Sequence, residues 1–190
     1  DPVDFTIASG NGTQTTSSIG ATTLGTALNS GNVTIATDAS TGGNGDITVA
    51  ANVTKTASSG TTTLTLKSHR SVVMNNGISI NGAAGAPLNV VFWADSDNSG
   101  GGGVQLRNVT TQGGHLYLGG GTASTTWNGL TVPNGPTKSF GGLAPTHFTG
   151  TLSTAGADMY LWNGTGAGAA GQFTTAGGLR RRRVQRGRRQ

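Results

Sequence analysis

The 190-residue chain contains no cysteine and no glutamate, and only 10% of its residues are charged and 5% aromatic. Without cysteine, disulfides and thiolate metal sites are excluded. Residues that favour helix surfaces are scarce, which favours an all-β chain. No apolar run approaches the roughly 18 residues of a membrane-spanning helix, so we expect no membrane span. The chain starts at Asp1 with neither an initiating methionine nor a signal peptide, as expected for a mature or internal segment.

Positive charge is also scarce outside the end of the chain. The formal net charge is +5, but seven of the twelve basic residues lie in the last eleven positions. The rest of the chain has five basic residues and seven aspartates, so it is slightly acidic. We expect one structural unit over residues 1–178 and a disordered Arg-rich tail over 179–190. Because no aromatic residue interleaves the tail, we do not expect it to bind nucleic acid.

Glycine, serine, threonine and asparagine separate short apolar–polar–apolar triplets. Alternation with a period of two is typical of a strand with one buried face. The triplets fall into three classes, whose members recur about every 24 to 32 residues. The first class begins at Phe5, Val33, Leu64, Leu88 and Leu116, the second at Ile19, Ile47, Val72, Val104 and Leu130, and the third at Leu24, Val53, Ile78 and Val109.

The spacing of the three classes predicts the architecture. A repeat of this length built from strands alone indicates a solenoid, namely a parallel β-helix with three strands per turn and about 25–30 residues per turn. Aliphatic residues would point inward, and Thr, Ser and Asn outward. Such a stack needs caps at its ends, and neither terminus shows an evident amphipathic cap. After Leu130 the prolines at positions 133, 136 and 145 predict a less regular continuation.

Four segments resemble the repeats of filamentous-haemagglutinin-like proteins, large bacterial exoproteins of the two-partner secretion type. They are Gly45–Lys55 (GDITVAANVTK), Leu64–Lys67 (LTLK), Leu88–Gly103 (LNVVFWADSDNSGGGG) and Leu116–Gly121 (LYLGGG). The resemblance implies a right-handed β-helical shaft of a secreted or cell-surface adhesin. It also implies an outer-membrane secretion partner for the parent protein and cell adhesion through a host or neighbouring-cell receptor or glycan. It carries over no catalytic residue.

One loop has the composition of a calcium site. Asp95–Gly100 reads DSDNSG, in which oxygen ligands alternate as at the start of a calcium loop. The position of the closing glutamate is taken by Leu106, however, and an Asx-rich corner explains the same residues. Both interpretations stay open, and no residue is assigned to a metal or cofactor.

The sequence does not indicate an enzyme, although a carbohydrate-active or carbohydrate-binding β-helix is the alternative. Glycosidases need two carboxyl groups about 5–10 Å apart, and only Asp95 and Asp97 are close in sequence. Lys67, His69 and Arg70 cluster, with Arg107 about one turn further on, either as an anion or sugar contact or as solvated corner residues. The histidines at positions 69, 115 and 147 lack the spacing of zinc ligands.

Two further patterns concern the surface. Threonines 34, 48, 54 and 65 could form an ice-binding array, but Asn89, Gln105 and Tyr117 stand at the later equivalent positions, which favours an ordinary polar ladder. Glycosylation sequons occur at five asparagines, namely Asn11, Asn32, Asn52, Asn108 and Asn163.

Overall fold

The structure, a computed structural model, describes residues 3–38, 43–57, 60–99, 101–138 and 146–162. This part is mostly β-structure in parallel sheets, which confirms the all-β expectation. The Arg-rich tail and Asn163 lie outside the described residues. The elements in chain order are β1 (Phe5–Ala8), β2 (Ser18–Gly20), α1 (Ala21–Ser30), β3 (Val33–Ala36), β4 (Ile47–Val49), β5 (Val53–Thr54), β6 (Thr62–Lys67), β7 (Val72–Met74), β8 (Ser79–Asn81), β9 (Leu88–Ala94), β10 (Val104–Leu106), β11 (Asn108–Thr110), β12 (Leu116–Gly120), β13 (Ser124–Trp127), β14 (Leu130–Pro133), β15 (Thr146–Phe148), β16 (Leu152–Ser153) and β17 (Met159–Leu161).

Fifteen of the strands form three parallel sheets. The first sheet has the order β2-β1-β4-β7-β10-β15, the second β5-β8-β11-β16, and the third β3-β6-β9-β12-β17. Strands β4, β5 and β6 thus lie in the first, second and third sheets, and β7–β9, β10–β12 and β15–β17 repeat that order. Between β4 and β12, register partners are about 25 to 32 residues apart.

The inward positions of the three sheets meet in one apolar core. In the third sheet, for example, the register aligns Leu66 with Phe92 and Phe92 with Leu118, and all three are 0% exposed. Burying a side chain of this kind contributes about 1.5–3 kcal/mol. Rows of stacked aliphatic and Phe side chains therefore account for most of the stability of the frame.

A residue at or next to the start of a strand often bonds the backbone of the neighbouring strand through its side chain. Every Asn-Val pair in the chain does this: the Asn Oδ1 accepts from the N–H beside it in the next strand of the sheet, at 2.8–2.9 Å. The four asparagines and their donors are Asn32 with Thr63, Asn52 with Ser79, Asn89 with His115, and Asn108 with Thr151. These bonds extend each ladder by one rung beyond the backbone pairs.

The first sheet uses Asp and Ser in the same way. Asp4 Oδ1 accepts from the Asp46 N–H at 2.9 Å, and Asp46 Oδ1 accepts from the Ser71 N–H at 3.1 Å. Ser71 Oγ in turn accepts from the Gly103 N–H at 3.3 Å. The polar residues at the strand starts therefore belong to the frame.

Helix α1 corrects the expectation of a strand at Leu24 and of an uncapped end. Its buried residues, Ala21, Leu24, Gly25 and Leu28, follow the helical spacing i, i+3, i+4, i+7 and join the core. The helix packs beside β5 and β6. A Cβ on Gly25 would lie 2.3 Å from the Thr54 carbonyl oxygen, so this glycine allows the close approach of helix and strand. An apolar helix face therefore covers the β5 end of the core.

Further register assignments were wrong. Ile80, two residues after Ile78, aligns with Val53 and Val109. Phe5 pairs with Ile47 in the first sheet and does not belong with Val33. Val90, two residues after Leu88, aligns with Leu64. Leu130 lies in an antiparallel hairpin with β13, outside the three parallel sheets. The hairpin is why the partners of β15–β17 are about 42 or 43 residues back.

Candidate functional site

The loop that resembled a calcium site is bonded within a corner of the fold. Asp97 Oδ2 lies 2.9 Å from His69 Nε2, and Asp97 Oδ1 accepts from the Ser99 N–H at 3.2 Å. Asp95 is 0% exposed, and its Oδ1 is 3.5 Å from Ser99 Oγ. No group of three or more His and Asp side chains is placed to hold a metal ion within the described residues. Both carboxylates thus contact Ser99, and Asp97 also contacts His69.

The cationic residues that cluster in sequence are separated in space by their partners. The Arg70 guanidinium forms a fork on Asp46, donating from Nε to Oδ1 at 2.8 Å and from Nη2 to Oδ2. This hydrogen bond to Asp46 raises the pKa of Arg70. Lys67 Nζ lies 4.6 Å from the centroid of the Trp93 ring, a cation–π contact. We call Asp46, His69, Arg70, Asp95 and Asp97 the acidic corner.

Arg107 is a buried structural cation. Its Nε and Nη2 donate to Asn76 Oδ1 at 3.1 and 2.7 Å, and its Nη1 donates to the Leu106 carbonyl and to Thr149 Oγ1. Burial lowers the pKa of Arg107. Together with the separate partners of Lys67, His69 and Arg70, these contacts give the four cations no common anion site.

Lys55 is a second buried cation, which the sequence did not single out. It is 0% exposed, and its Nζ donates to the carbonyls of Gly60 and, at 2.9 Å, Pro87. Burial lowers the pKa of this ammonium group. The side chain thus joins two loops of the chain by hydrogen bonds to their carbonyls.

The threonines and sequons are also explained by the frame. Thr34 and Thr65 are register partners in the third sheet, whereas Thr48 lies in the first sheet and Thr54 in the second. The four therefore form no single array. Asn32, Asn52 and Asn108 use their side-chain oxygens in the ladder bonds, whereas Asn11 is exposed.

A region that the sequence reading did not single out collects the large polar aromatics. All three Trp and both Tyr residues of the chain lie on the outer side of the third sheet or on the hairpin that covers it. By contrast, the inner core contains Phe5, Phe92 and Phe148. We call Trp93, Tyr117, Trp127, Tyr160 and Trp162 the outer aromatic face.

The hairpin β13–β14 packs on the outer side of the third sheet and contributes Trp127 to the outer aromatic face. Its two-residue turn, Asn128-Gly129, has positive φ at both positions (47° and 76°), as a type I′ turn requires. Val132 of the hairpin packs on Val91 and Tyr117, outside the main core. The Tyr117 hydroxyl donates to the Pro133 carbonyl at 2.8 Å, and its burial raises the pKa of Tyr117 to about 12. Asn-Gly between alternating residues is a strong hairpin signal, and it marks this element in the sequence.

Four of the five rings contact one another, and Trp93 contacts Lys67 instead. Tyr160 stacks on Tyr117 with centroids 5.0 Å apart and an interplanar angle of 11°. Trp127 and Trp162 lie 6.1 and 5.9 Å from the Tyr160 ring at steep angles. Tyr160 is 41% exposed, the one exposed large hydrophobic side chain among the described residues. The buried Tyr117 ring packs against the Tyr160 ring, and Tyr160 is the exposed ring at the centre of the face.

Polar groups border the rings on one side. Asn128 Nδ2 donates to Asp158 Oδ2 at 2.7 Å, and the Asp158 N–H donates to His115 Nδ1 at 3.1 Å. His115 also meets the Trp127 ring edge-on at 5.4 Å. The Asp158 side chain is 68% exposed, so its carboxylate keeps acceptor capacity toward solvent. Tyr160 offers an exposed ring with tilted rings beside it and hydrogen-bonding groups at its edge, and such a surface can hold a ligand that has both an apolar face and hydroxyl groups.

No helix in the described ranges has the length and apolarity to cross a membrane. No family model matches the chain, and neither a curated protein nor a solved structure matches it.

Proposed function

We propose that the chain forms a segment of right-handed parallel β-helix with three strands per coil. The repeated order of first, second and third sheet supports this. Strands β4 to β9 each pair in parallel with the strand three places further on, and β10 to β12 pair with β15 to β17 beyond the hairpin. Parallel strands joined by crossovers within one sheet are right-handed in nearly all proteins, which supports the hand. Coils of about 25–30 residues fit the register spacing between β4 and β12.

We propose further that this segment is a non-enzymatic, adhesive shaft of a secreted or cell-surface bacterial protein. The observation that carries the proposal is the continuous stacking of buried rows through the described part. A rod of this kind presents side chains at a distance from its attachment point. The resemblance of the repeats to two-partner-secretion adhesins supports export through an outer-membrane partner. The attachment partner is a cell-surface receptor or glycan.

An adhesion assay tests the function. The chain is displayed on a non-adherent bacterium, and attachment to host epithelial cells and to other bacteria is counted against the same display vector carrying an unrelated β-rich domain. We expect attachment well above this control. The purified chain is incubated in parallel with polysaccharides, and the release of reducing ends is measured. Attachment at the control level, or turnover of a polysaccharide, would contradict a non-enzymatic adhesive role.

The coil arrangement has its own test, which benefits from the absence of cysteine. Thr48 and Val73 are outward register partners in neighbouring strands of the first sheet. The double variant T48C/V73C should form an intramolecular disulfide on mild oxidation. The matched control T48C/T54C places the cysteines on two different sheets and should remain reduced. Equal oxidation of both variants would contradict the parallel register.

A further inference from the structure

We propose that the outer aromatic face binds a neutral polysaccharide, with Tyr160 as the central ring of the site. The inference rests on the adhesive role proposed above, and it names the class of partner and the residues that hold it. Trp127, Tyr160 and Trp162 form the ring surface, and Asn128 and Asp158 form its polar edge.

The distribution of aromatic types is the first argument. Phe5, Phe92 and Phe148 lie in the inner core, whereas the five Trp and Tyr residues of the chain lie on the outer side of the third sheet or on its hairpin. Tyr and Trp combine a large apolar ring with a polar group, so they suit surfaces that contact a ligand in water. A frame built from aliphatic rows does not need these rings for its own core. Their concentration around an exposed Tyr160 is therefore a binding feature.

The geometry fits the face of a sugar ring. A pyranose presents several C–H groups on one side, and these carry a slight positive charge that is attracted to the negative face of an aromatic ring. Tyr117 and Tyr160 stack with an angle of 11°, which holds the Tyr160 ring in a fixed orientation. Trp127 and Trp162 flank it at centroid distances of 6.1 and 5.9 Å. Rings at this spacing can contact consecutive sugar units, which favours a chain over a monosaccharide.

The polar edge selects for hydroxyl donors. The Asp158 carboxylate is held toward Asn128 by the 2.7 Å hydrogen bond and remains 68% exposed. The Asp158 N–H donates to His115 Nδ1, which fixes the backbone of Asp158 beside the rings. A sugar hydroxyl can donate to the carboxylate, whereas a uronate or sialate would meet a like charge. The Lys67 ammonium is engaged with Trp93. The site therefore favours neutral over acidic polysaccharides.

Native affinity electrophoresis tests the site on the full chain. The gels contain a galactomannan, a β-1,3-glucan or, as the acidic probe, alginate, and retardation yields a dissociation constant for each. We expect retardation by at least one neutral polysaccharide and none by alginate. Y160A should weaken binding at least about tenfold, because it removes the central ring. Y160F keeps the ring and should bind within about twofold of the unchanged chain.

A matched control separates the site from general damage to the fold. D97N alters an acid that contacts His69 and Ser99, and it should leave retardation unchanged. Far-ultraviolet circular dichroism of each variant verifies that it folds. If Y160A does not, D158A serves as the test, because it removes the exposed carboxylate of the polar edge and should weaken retardation without affecting the fold. Binding of Y160A equal to that of the unchanged chain overturns the proposal, as does preferential binding of alginate.

Failure of the proposed polysaccharide site can be distinguished from failure of the adhesive role. If the displayed chain attaches to cells but no neutral polysaccharide retards it, adhesion stands with another partner and the sugar site is wrong. If neither attachment nor retardation is seen, both proposals fail. Loss of both attachment and retardation in Y160A supports both together.

Discussion

The acidic corner and the outer aromatic face lie on the same frame of parallel strands, but their side chains serve different purposes. In the corner, Asp46 bonds the Ser71 N–H and the Arg70 guanidinium, and Asp97 bonds His69. On the aromatic face, Tyr160 and Asp158 keep 41% and 68% of their surface exposed. The residues with the most suggestive chemistry in the sequence are thus bound within the protein, and the accessible surface is aromatic. Changes in the corner should affect stability, and changes on the face should affect binding.

The largest expected difference is between two aspartates. D46A removes the acceptor of both the Ser71 N–H and the Arg70 fork, so we expect the free energy of unfolding to fall by about 2–3 kcal/mol. D158A removes a mostly exposed carboxylate and should change that free energy by less than about 0.5 kcal/mol. Urea denaturation followed by circular dichroism measures both. Equal losses would mean that the two regions do not differ in the way described.

A somewhat smaller effect follows from the buried hydroxyl of Tyr117. Its pKa is raised from 10.0 to about 12, so the folded chain holds the Tyr117 proton more tightly than the unfolded chain. The contribution to stability is complete below pH 10 and is lost as the pH rises toward 12. Ionisation also removes the donor to the Pro133 carbonyl, a loss of about 1–2 kcal/mol.

The measurement is the urea midpoint between pH 9 and 12, with tyrosinate absorbance recorded alongside. Y117F should be less stable at pH 9 than the unchanged chain, and it should lose less stability as the pH rises. The same alkaline loss in Y117F and in the unchanged chain would show that Tyr117 is not the titrating group.

The hairpin turn should show a loss of about 1 kcal/mol. Gly129 has a φ of 76°, where an L side chain is strained, so G129A should destabilise the hairpin by about that amount. Gly31 is the matched control: it is extended (φ 178°), and, as at Gly129, an added Cβ would meet nothing within 4 Å. G31A should therefore be close to neutral. Hydrogen exchange of the hairpin amides, compared with those of β9, would detect the local effect; equal changes in both variants would rule out turn strain.

The smallest effect belongs to the His69–Asp97 pair. Both side chains are partly exposed (20% and 31%), so the pair is screened by solvent. D97N should change the unfolding free energy by less than about 0.5 kcal/mol at 0.15 M salt. Thermal melts at low and high salt would measure this. A loss above 1 kcal/mol would place Asp97 among the frame-building acids with Asp46.

Local alternation was sufficient to predict most strands, but the register depended on contacts that the sequence does not show. In the run Leu88–Ala94, Leu88 and Val90 both lie in the main core. A shift of two residues leaves an alternation with a period of two unchanged, so the sequence could not distinguish Leu88 from Val90 as the partner of Leu64. Helix α1 was missed since two of its four buried positions are Ala21 and Gly25, which give a weak apolar pattern.

The aromatic face could not be predicted in the same way. Tyr117 and Tyr160 meet only because the hairpin and the following loop lengthen the interval between β12 and β17. A reader assuming the usual repeat length would not pair them. The Asn-Gly turn was a visible sign of the hairpin, but where the hairpin folds depends on packing against Val91 and Tyr117.

The Asn-Val pairs have a consequence for how this fold can change in length. Each Asn binds one specific N–H in the neighbouring strand, so alignment is set at the start of that strand and does not rely on a constant loop. Asn52 and Asn108 make the same bond, although their donors are 27 and 43 residues away. A connection can thus gain an entire hairpin while the strands after it remain aligned. The fold can accept new surface elements in its loops, in evolution or by design, as long as the asparagine at the start of the neighbouring strand is retained.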